Sequence, residues 1–340
     1  VEITPLVWGL TILLIVGLLA FDFVFHVRKA HIPTIREAAV WSSIYIGAAL
    51  AFGLVFLAMG DPTLATEYYA GYVTEKALSV DNLFVFLVII ASFNVPREDQ
   101  QKVLLFGIVF ALIARTAFIL LGAGLIHAFS DVFYLFAGIL LLTSVQLLKK
   151  GSSGTDPAEE ADNIIIRLAR RFLHTTEHYD GDRLITRVDG RRMLTPMLLV
   201  MVAIGGTDIL FAVDSIPAIY GLTQEPYIVF AATAFSLMGL RQLYFLIDGL
   251  LDRLVHLSYG LAVILGFIGV KLLLHALHEN NLPFVNGGQN VPVPEIPTGI
   301  SLAVILAVLA ITVATSLLSP AGRASRAARD IEGTEPVRRG

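Results

Sequence analysis

Two copies of one short pattern, Thr74-Glu75-x5-Asp81-Asn82 and Thr207-Asp208-x5-Asp214-Ser215, lie inside apolar segments 133 residues apart. An ionised carboxylate at the centre of a bilayer costs roughly 2.5–3.5 kcal/mol even on the most lenient insertion scale. Four of them need a partner or a use. Structural ion pairing accounts for one pair of carboxylates but does not predict the same spacing twice, so the recurrence points to a cation site built from two related halves.

Hydrophobic residues make up 56% of the chain and charged residues 15%. The apolar positions form runs of about 20 residues rather than amphipathic stripes, the signature of an all-α polytopic membrane protein. The net charge of −4 says little as a total. The chain has no cysteine, which excludes disulfides, thiolate metal sites and iron–sulfur clusters and leaves oxygen and imidazole as ligands for hard divalent ions. The first apolar run is long enough to span and has no basic n-region, so it is expected to stay as a span rather than be cleaved.

Hydropathy predicts about nine spans, near 5–25, 40–60, 68–94, 103–126, 131–148, 196–220, 226–247, 257–275 and 298–318. If the N-terminus is outside, Arg28, Lys29, Arg36, Arg97, Lys102, the basic residues of 149–195, Arg253 and the Arg-rich tail all fall inside, while the loops near 61–67, 127–130, 221–225 and 276–297 hold no Lys or Arg. The expected topology is N-out and C-in, in a bacterial inner membrane. Lys76, Arg115, Arg241 and Lys271 remain within apolar spans.

The repetition runs beyond the motif. Arg115 in FALIARTAF corresponds to Arg241 in FSLMGLRQLYF, and TSVQLL at 143–148 to IGVKLL at 268–273. Residues 68–148 and 196–275 therefore read as two three-helix units, and an odd number of spans per unit inverts the second relative to the first. Outside them lie two helices within 1–67, a loop at 149–195, an external loop at 276–297, a last span at 298–318 and a tail at 319–340.

Helix geometry constrains the site. Six residues rotate a helix by about 600°, so Glu75 and Asp81 face roughly 120° apart and one ion does not readily use both from one regular helix. The site is expected to cross helices or to sit at a break, and Gly205-Gly206 with Pro217 suggests a break in the 196–220 span. Thr74 shares the face of Asp81, and Ser79 and Asn82 share that of Glu75. Asp81 and Asp214 are expected to converge as primary ligands, with Glu75 and Asp208 closing the site or relaying protons, and Thr207 and Ser215 as supporting oxygens. Lys76, Arg115, Arg241 and Lys271 would balance the carboxylates when no ion is bound; snorkelling accounts for Lys271 more readily than for the two mid-span arginines.

EKALSVDNLFVF at 75–86, TDILFAVDSIPAI at 207–219, LGFIGVKLLLH at 265–275 and LPFVNGGQNVPVPEIP at 282–297 resemble the TerC family of integral membrane proteins, as does Asp22 followed by HVRKAH at 26–31. The resemblance covers about residues 10–318. It implies divalent-metal efflux, manganese first, and in some members support for metal loading of exported enzymes. It places the family's acidic membrane motifs on Glu75, Asp81, Asp208 and Asp214, with Asp22 as an outlying candidate. Gln146 stands where the family tends to place a lysine. Manganese comes from the resemblance alone, since the oxygen ligands would equally suit calcium or magnesium.

The 149–195 loop reads as a linker, a basic amphipathic stretch at 163–173 and a hairpin turning at Asp189-Gly190. His174-x-x-Glu177-His178 matches an inverted zinc-peptidase string, but the loop has no room for a protease domain. His275, His278 and Glu279 end one span in a spacing that fits a helix face, with surface solvation the simpler reading and metal capture the sharper one. A secondary transporter of a divalent cation, proton exchange included, leads among the functions. A membrane scaffold assisting metalation of exported proteins is the alternative. An intramembrane aspartyl protease would also place two aspartates on neighbouring spans, but the basic residues nearby do not suit a dyad that shares one proton. The chain is therefore expected not to be an enzyme and to hold no resident cofactor beyond transported metal. Its partners would be the metal ion and the lipid bilayer, with room for a homo-oligomer or an envelope protein and no role for nucleic acid.

Overall fold

The computed structural model describes residues 3–27, 33–129, 131–153, 181, 183–188, 191–247, 256–280, 282 and 285–319; a few of these, Asp81 among them, are described by backbone alone. The 163–173 stretch, the His174–His178 string, Arg253 and the basic tail lie outside the described residues.

The described chain is almost entirely helical. In order come α1 (Pro5–Asp22), α2 (Ile35–Ala58), α3 (Pro62–Ser92), α4 (Gln100–Ala128), α5 (Val132–Ser153), strands β1 (Ile185–Val188) and β2 (Arg191–Leu194), then α6 (Pro196–Tyr220), α7 (Pro226–Leu237), α8 (Leu240–Ile247), α9 (Leu257–His278) and α10 (Thr298–Leu318). The starts follow local chemistry. Proline opens α1, α3, α6 and α7, where its missing N–H costs no helical bond. The Thr34 hydroxyl accepts from the Glu37 amide at 3.2 Å, and an Asp61 carboxylate oxygen accepts from the Leu64 amide at 3.0 Å. The latter bond holds the Asp61 carboxyl below the usual carboxylate range.

Eight segments are long and apolar enough to cross a membrane by length and composition, α7 and α8 together forming one of them. The ninth expected span is α3. At 31 residues it has ample length, but Glu67, Glu75, Lys76 and Asp81 interrupt its apolar character. The hairpin forms as expected, with Val188 opposite Arg191 across the turn.

Packing between the two expected units is reciprocal. The first helix of one, α3, lies along α7 of the other; α6 in turn lies along α4; and the third helices, α5 and α9, pack on each other over the largest contact of all. Small residues allow the close approaches. A Cβ on Gly205 would lie 2.9 Å from the Phe110 ring, one on Gly107 2.8 Å from Ile204, and one on Gly269 3.0 Å from Leu141.

The expected break in the 196–220 span is not where the chain breaks. α6 is continuous through Gly205, Gly206 and Pro217. Gly205 serves the α4 contact, and Pro217 sits in the last turn, where its missing N–H forfeits one helical bond. The interruption falls instead in the next span. Met238 turns extended (φ −64°, ψ 139°), Gly239 takes φ +73°, and α8 starts afresh. A Cβ on Gly239 would lie 2.9 Å from the Tyr45 Cβ, so both the backbone conformation and the space demand glycine. Gly239→Ala is expected to cost about 1–2 kcal/mol from the left-handed backbone alone. It should therefore lower the thermal unfolding midpoint in detergent, whereas Gly9→Ala, whose Cβ meets nothing within 4 Å, should leave it unchanged.

Candidate functional site

The centre of the molecule is organised by one guanidinium. Arg115, fully buried on α4, ion-pairs with Glu75 of α3 and grips Asp208 of α6, donating from Nη2 to Oδ1 at 3.1 Å and from Nε to Oδ2 at 3.4 Å. Asn82, with its amide oxygen turned to Arg115, accepts a further bond from Nη2 at 3.1 Å and donates to the Leu78 carbonyl at 3.1 Å. Glu75 and Asp208 occupy equivalent positions in the two copies of the motif. Both are withdrawn from the surface, at 0% and 1% exposure, where a carboxylate without a cation would be prohibitively costly.

Beside this clasp lie oxygens with nothing to bond. The second Glu75 oxygen, Oε2, accepts no hydrogen bond, and the hydroxyls of Thr74, Ser215 and Thr233 are buried without a partner. Helix geometry places Thr74, Glu75 and Ser215 near one another. Gly71 of α3 faces Ile219 of α6 and Ala232 of α7, at 3.4 and 3.2 Å from its ideal Cβ. Thr74 and Glu75 lie one turn along α3 from Gly71, and Ser215 lies one turn along α6 from Ile219. Native proteins rarely leave hydroxyls and carboxylates unsatisfied in this way, and a concentration of them marks a place for a polar or ionic guest. Ser79 and Ser236 share a hydrogen bond at 3.3 Å, while Thr207 is spent locally, donating to the Ala203 carbonyl at 2.7 Å.

The remaining candidates separate. Asp214 is partly exposed on α6 beside the exposed Val213, and Arg115 is close enough to act on it electrostatically. Asp81 follows on α3, but its side chain lies outside the described residues. Glu75 and Asp208 are therefore the motif acids seen to converge, the pair expected to close the site or relay protons. Asp22 is not an open ligand. Its Oδ1 accepts from Arg241 at 2.7 Å, Gln242 at 2.9 Å and Tyr45 at 3.0 Å, and Arg241 also donates to Gln101. Arg241 thus balances Asp22 rather than a motif carboxylate. Lys76, expected as a counter-charge, donates to the Ser236 and Met238 carbonyls. Among the described residues no group of three or more carboxylate or imidazole side chains is placed to hold a metal ion.

Lys271 reaches a half-open cavity of about 500 Å³ at the end of the bundle where the 221–225 and 289–297 segments meet, lined also by Glu67, Thr223, Gln224, His275 and Glu295. Glu67 accepts from the Thr223 hydroxyl at 2.5 Å, and His275 sits 3.3 Å from Glu295 and 3.6 Å from Glu279. Positions 67, 74 and 81 recur every seven residues on α3, as do 207 and 214 on α6 and 221 at its C-cap, drifting only about 20° per interval. The cavity therefore caps the two helix faces that lead to the motifs. Sequence reasoning did not single out Thr233, Ser236, Tyr45, Gln101, Gln242 or Glu67. The hydroxyls of Thr233 and Ser236, three residues apart in an apolar run, were the available signal.

Arg115→Ala leaves two buried carboxylates without their cation, and breaking a buried pair in this way costs about 3–5 kcal/mol. Its unfolding midpoint should fall steeply. Combining Arg115→Met with Glu75→Gln and Asp208→Asn should recover much of the loss, and a triple variant no more stable than Arg115→Ala alone would show that the clasp is not what holds these helices.

The family model described as the integral membrane protein TerC family matches residues 60–324. An uncharacterized membrane protein of Mycobacterium tuberculosis is 61% identical over 323 residues, covering 95% of this chain and 81% of that protein. One from Myxococcus xanthus is 35% identical over 316 residues, covering 93% of each. A protein of Escherichia coli K12 named as a putative membrane-bound redox modulator is 35% identical over 319 residues, covering 91% of this chain and 93% of that protein. No solved structure matches. With the family match spanning most of the helical bundle, and the relatives all but its ends, the chain belongs to the TerC family of integral membrane proteins.

Proposed function

We propose that this protein is a secondary transporter that exports a divalent cation, manganese first, and that Arg115 holds the cation's place when the site is empty. The observation that carries the reading is the meeting of Glu75 and Asp208, one from each copy of the motif, on a single buried guanidinium, with the buried hydroxyls of Thr74 and Ser215 next to them in sequence or on the same helix left without partners. A divalent ion arriving there finds two carboxylates and neutral oxygens, the donor set that hard cations prefer. Arg115 then needs another anion, and Asp214, already within its electrostatic reach, supplies one. Asp81 is the matching residue of the other copy.

The reciprocal packing of α3 on α7 and α6 on α4 supports two units working around one shared site, the arrangement alternating access needs. The basic-residue asymmetry supports a bacterial inner-membrane protein with the N-terminus and the cavity at Lys271 outside and the C-terminus inside. With Glu75 and Asp208 sharing Arg115, the empty site keeps an excess negative charge, so its return step can run with a proton aboard and metal binding then displaces it. The name of the Escherichia coli relative suggests a second reading, redox modulation. This chain has no thiol to carry it, which favours an effect exerted through the metal pool.

In proteoliposomes, Glu75→Gln and Asp208→Asn should each lower manganese flux by a factor on the order of 100 or more, since a neutral amide keeps the shape but loses a charge-assisted contact in a dry site. Asp214→Asn should slow flux with a smaller loss of binding. Manganese, calcium, magnesium and zinc are compared in the same vesicles, and a pH-sensitive dye should report proton movement opposite to the metal. Wild-type flux in the Glu75→Gln and Asp208→Asn variants would refute the assignment of the site, and no metal-dependent flux in the wild type would return the protein to the scaffold reading.

A further inference from the structure

The interruption between α7 and α8 carries a cation of its own. α7 ends at Leu237, so its last carbonyls have no helical donors, and the aligned peptides place about half a negative charge at that end. Lys76 of α3 reaches across and donates from Nζ to the Ser236 carbonyl at 2.9 Å and the Met238 carbonyl at 3.2 Å. No described carboxylate pairs with it. One turn further along α3, Ser79 bonds Ser236, and one residue before it stands Glu75. The same stretch of α3 therefore touches both the Arg115 clasp and the broken end of α7.

Half-helix C-termini and unwound carbonyls at membrane depth are where secondary transporters hold a monovalent coupling ion. An ammonium is a compact point charge with three donors, close to such an ion in what it offers carbonyl oxygens, whereas a guanidinium is a planar fork. We propose that the α7 end is a monovalent-cation site whose occupant is built into the chain as Lys76, so that the protein holds its broken helix without sodium or potassium. Lys76 is then a positioning residue. It fixes the break that sets α8, and through α3 it ties that break to Glu75.

Shortening Lys76 should expose the site to free ions. Lys76→Ala, purified in detergent with choline chloride, is expected to unfold at a lower temperature than the wild type. Sodium, potassium or methylammonium chloride at equal ionic strength should restore it along a saturating curve. The wild type should not respond, because its site is filled. A folded variant that responds to sodium, potassium and methylammonium no better than to choline overturns the proposal, as does a wild type stabilised to the same extent. If Lys76→Ala does not fold, Lys76→Gln, whose amide donates to one carbonyl, is read by the same criteria.

This thermal test is independent of transport. The flux test rests on the transporter reading. There, wild-type manganese flux should be the same in sodium and in choline. Flux in Lys76→Gln should fall about tenfold or more in choline, the scale of a lost hydrogen bond to a charged group, and recover in sodium or potassium. Wild-type flux that needs sodium defeats the built-in cation while leaving manganese transport standing. Absent flux in every form defeats the transport reading and leaves the thermal result to decide this one.

Discussion

Everything at the centre of this bundle depends on one arginine having two carboxylates to answer. Arg115 lies on the second helix of its unit, and α4 packs on α6, the first helix of the other. From there its side chain reaches Asp208 across that interface and Glu75 on its own side. If Arg115 were missing, two buried carboxylates would be left without compensation, the costliest single defect a helix bundle of this kind can carry. The small residues at Gly107 and Gly205 follow from this requirement, because α4 and α6 must come close enough for the guanidinium to span both carboxylates.

By the internal correspondence, Arg241 should stand as Arg115 does, aimed from the second unit at the same carboxylates. It does not, and Gly239 is the physical reason. Interrupting the span two residues ahead of Arg241 starts α8 afresh, and Arg241 pairs with Asp22 and Gln101. Tyr45 seats the turn by lying against Gly239 and donating to Asp22 at 3.0 Å, so α1 and α2, which stand outside the expected repeat, hold the asymmetry in place. The consequence is electrostatic. Two motif carboxylates share one arginine instead of two, and the shared site keeps an excess of negative charge.

The helical membrane character, most of the spans and the hairpin turn were legible in the amino-acid order, because hydropathy and turn chemistry act locally. The relation between the motif residues was only half legible. Glu75 and Asp208 were recognised as acids needing partners, but a spacing along one helix does not say which acids meet across two. Glycine was misread for a similar reason. Gly205-Gly206 and Pro217 look like a break in isolation, yet Gly205 answers the Phe110 ring and Pro217 sits where a helix tolerates it. Gly239, a single glycine between Met238 and Leu240, gives no local sign that it adopts positive φ. The difference is set by Tyr45, nearly two hundred residues earlier in the chain. Lys76 was counted as a counter-charge because sequence lists cations and anions, while backbone carbonyls freed by a break are invisible until the break is seen.

On the proposed transporter reading, a resident arginine also bears on how the carrier would work. A site of bare, converging carboxylates would hold a divalent ion too tightly to release it, and emptied it would have to protonate or draw in another ion before it could return. A tethered guanidinium raises the energy of the loaded state, since it must leave its partners, and lowers that of the empty one, since it returns to them. The two states are thereby brought closer in energy, and a carrier whose states are close is the one a modest gradient can drive. Asp214, partly exposed and within the field of Arg115, gives the displaced guanidinium somewhere to go without crossing the bundle. On this argument the arginine lowers the affinity so that bound metal can be released. Its removal should then tighten the equilibrium binding of metal while slowing turnover, which separates a displaceable counter-ion from a merely structural one.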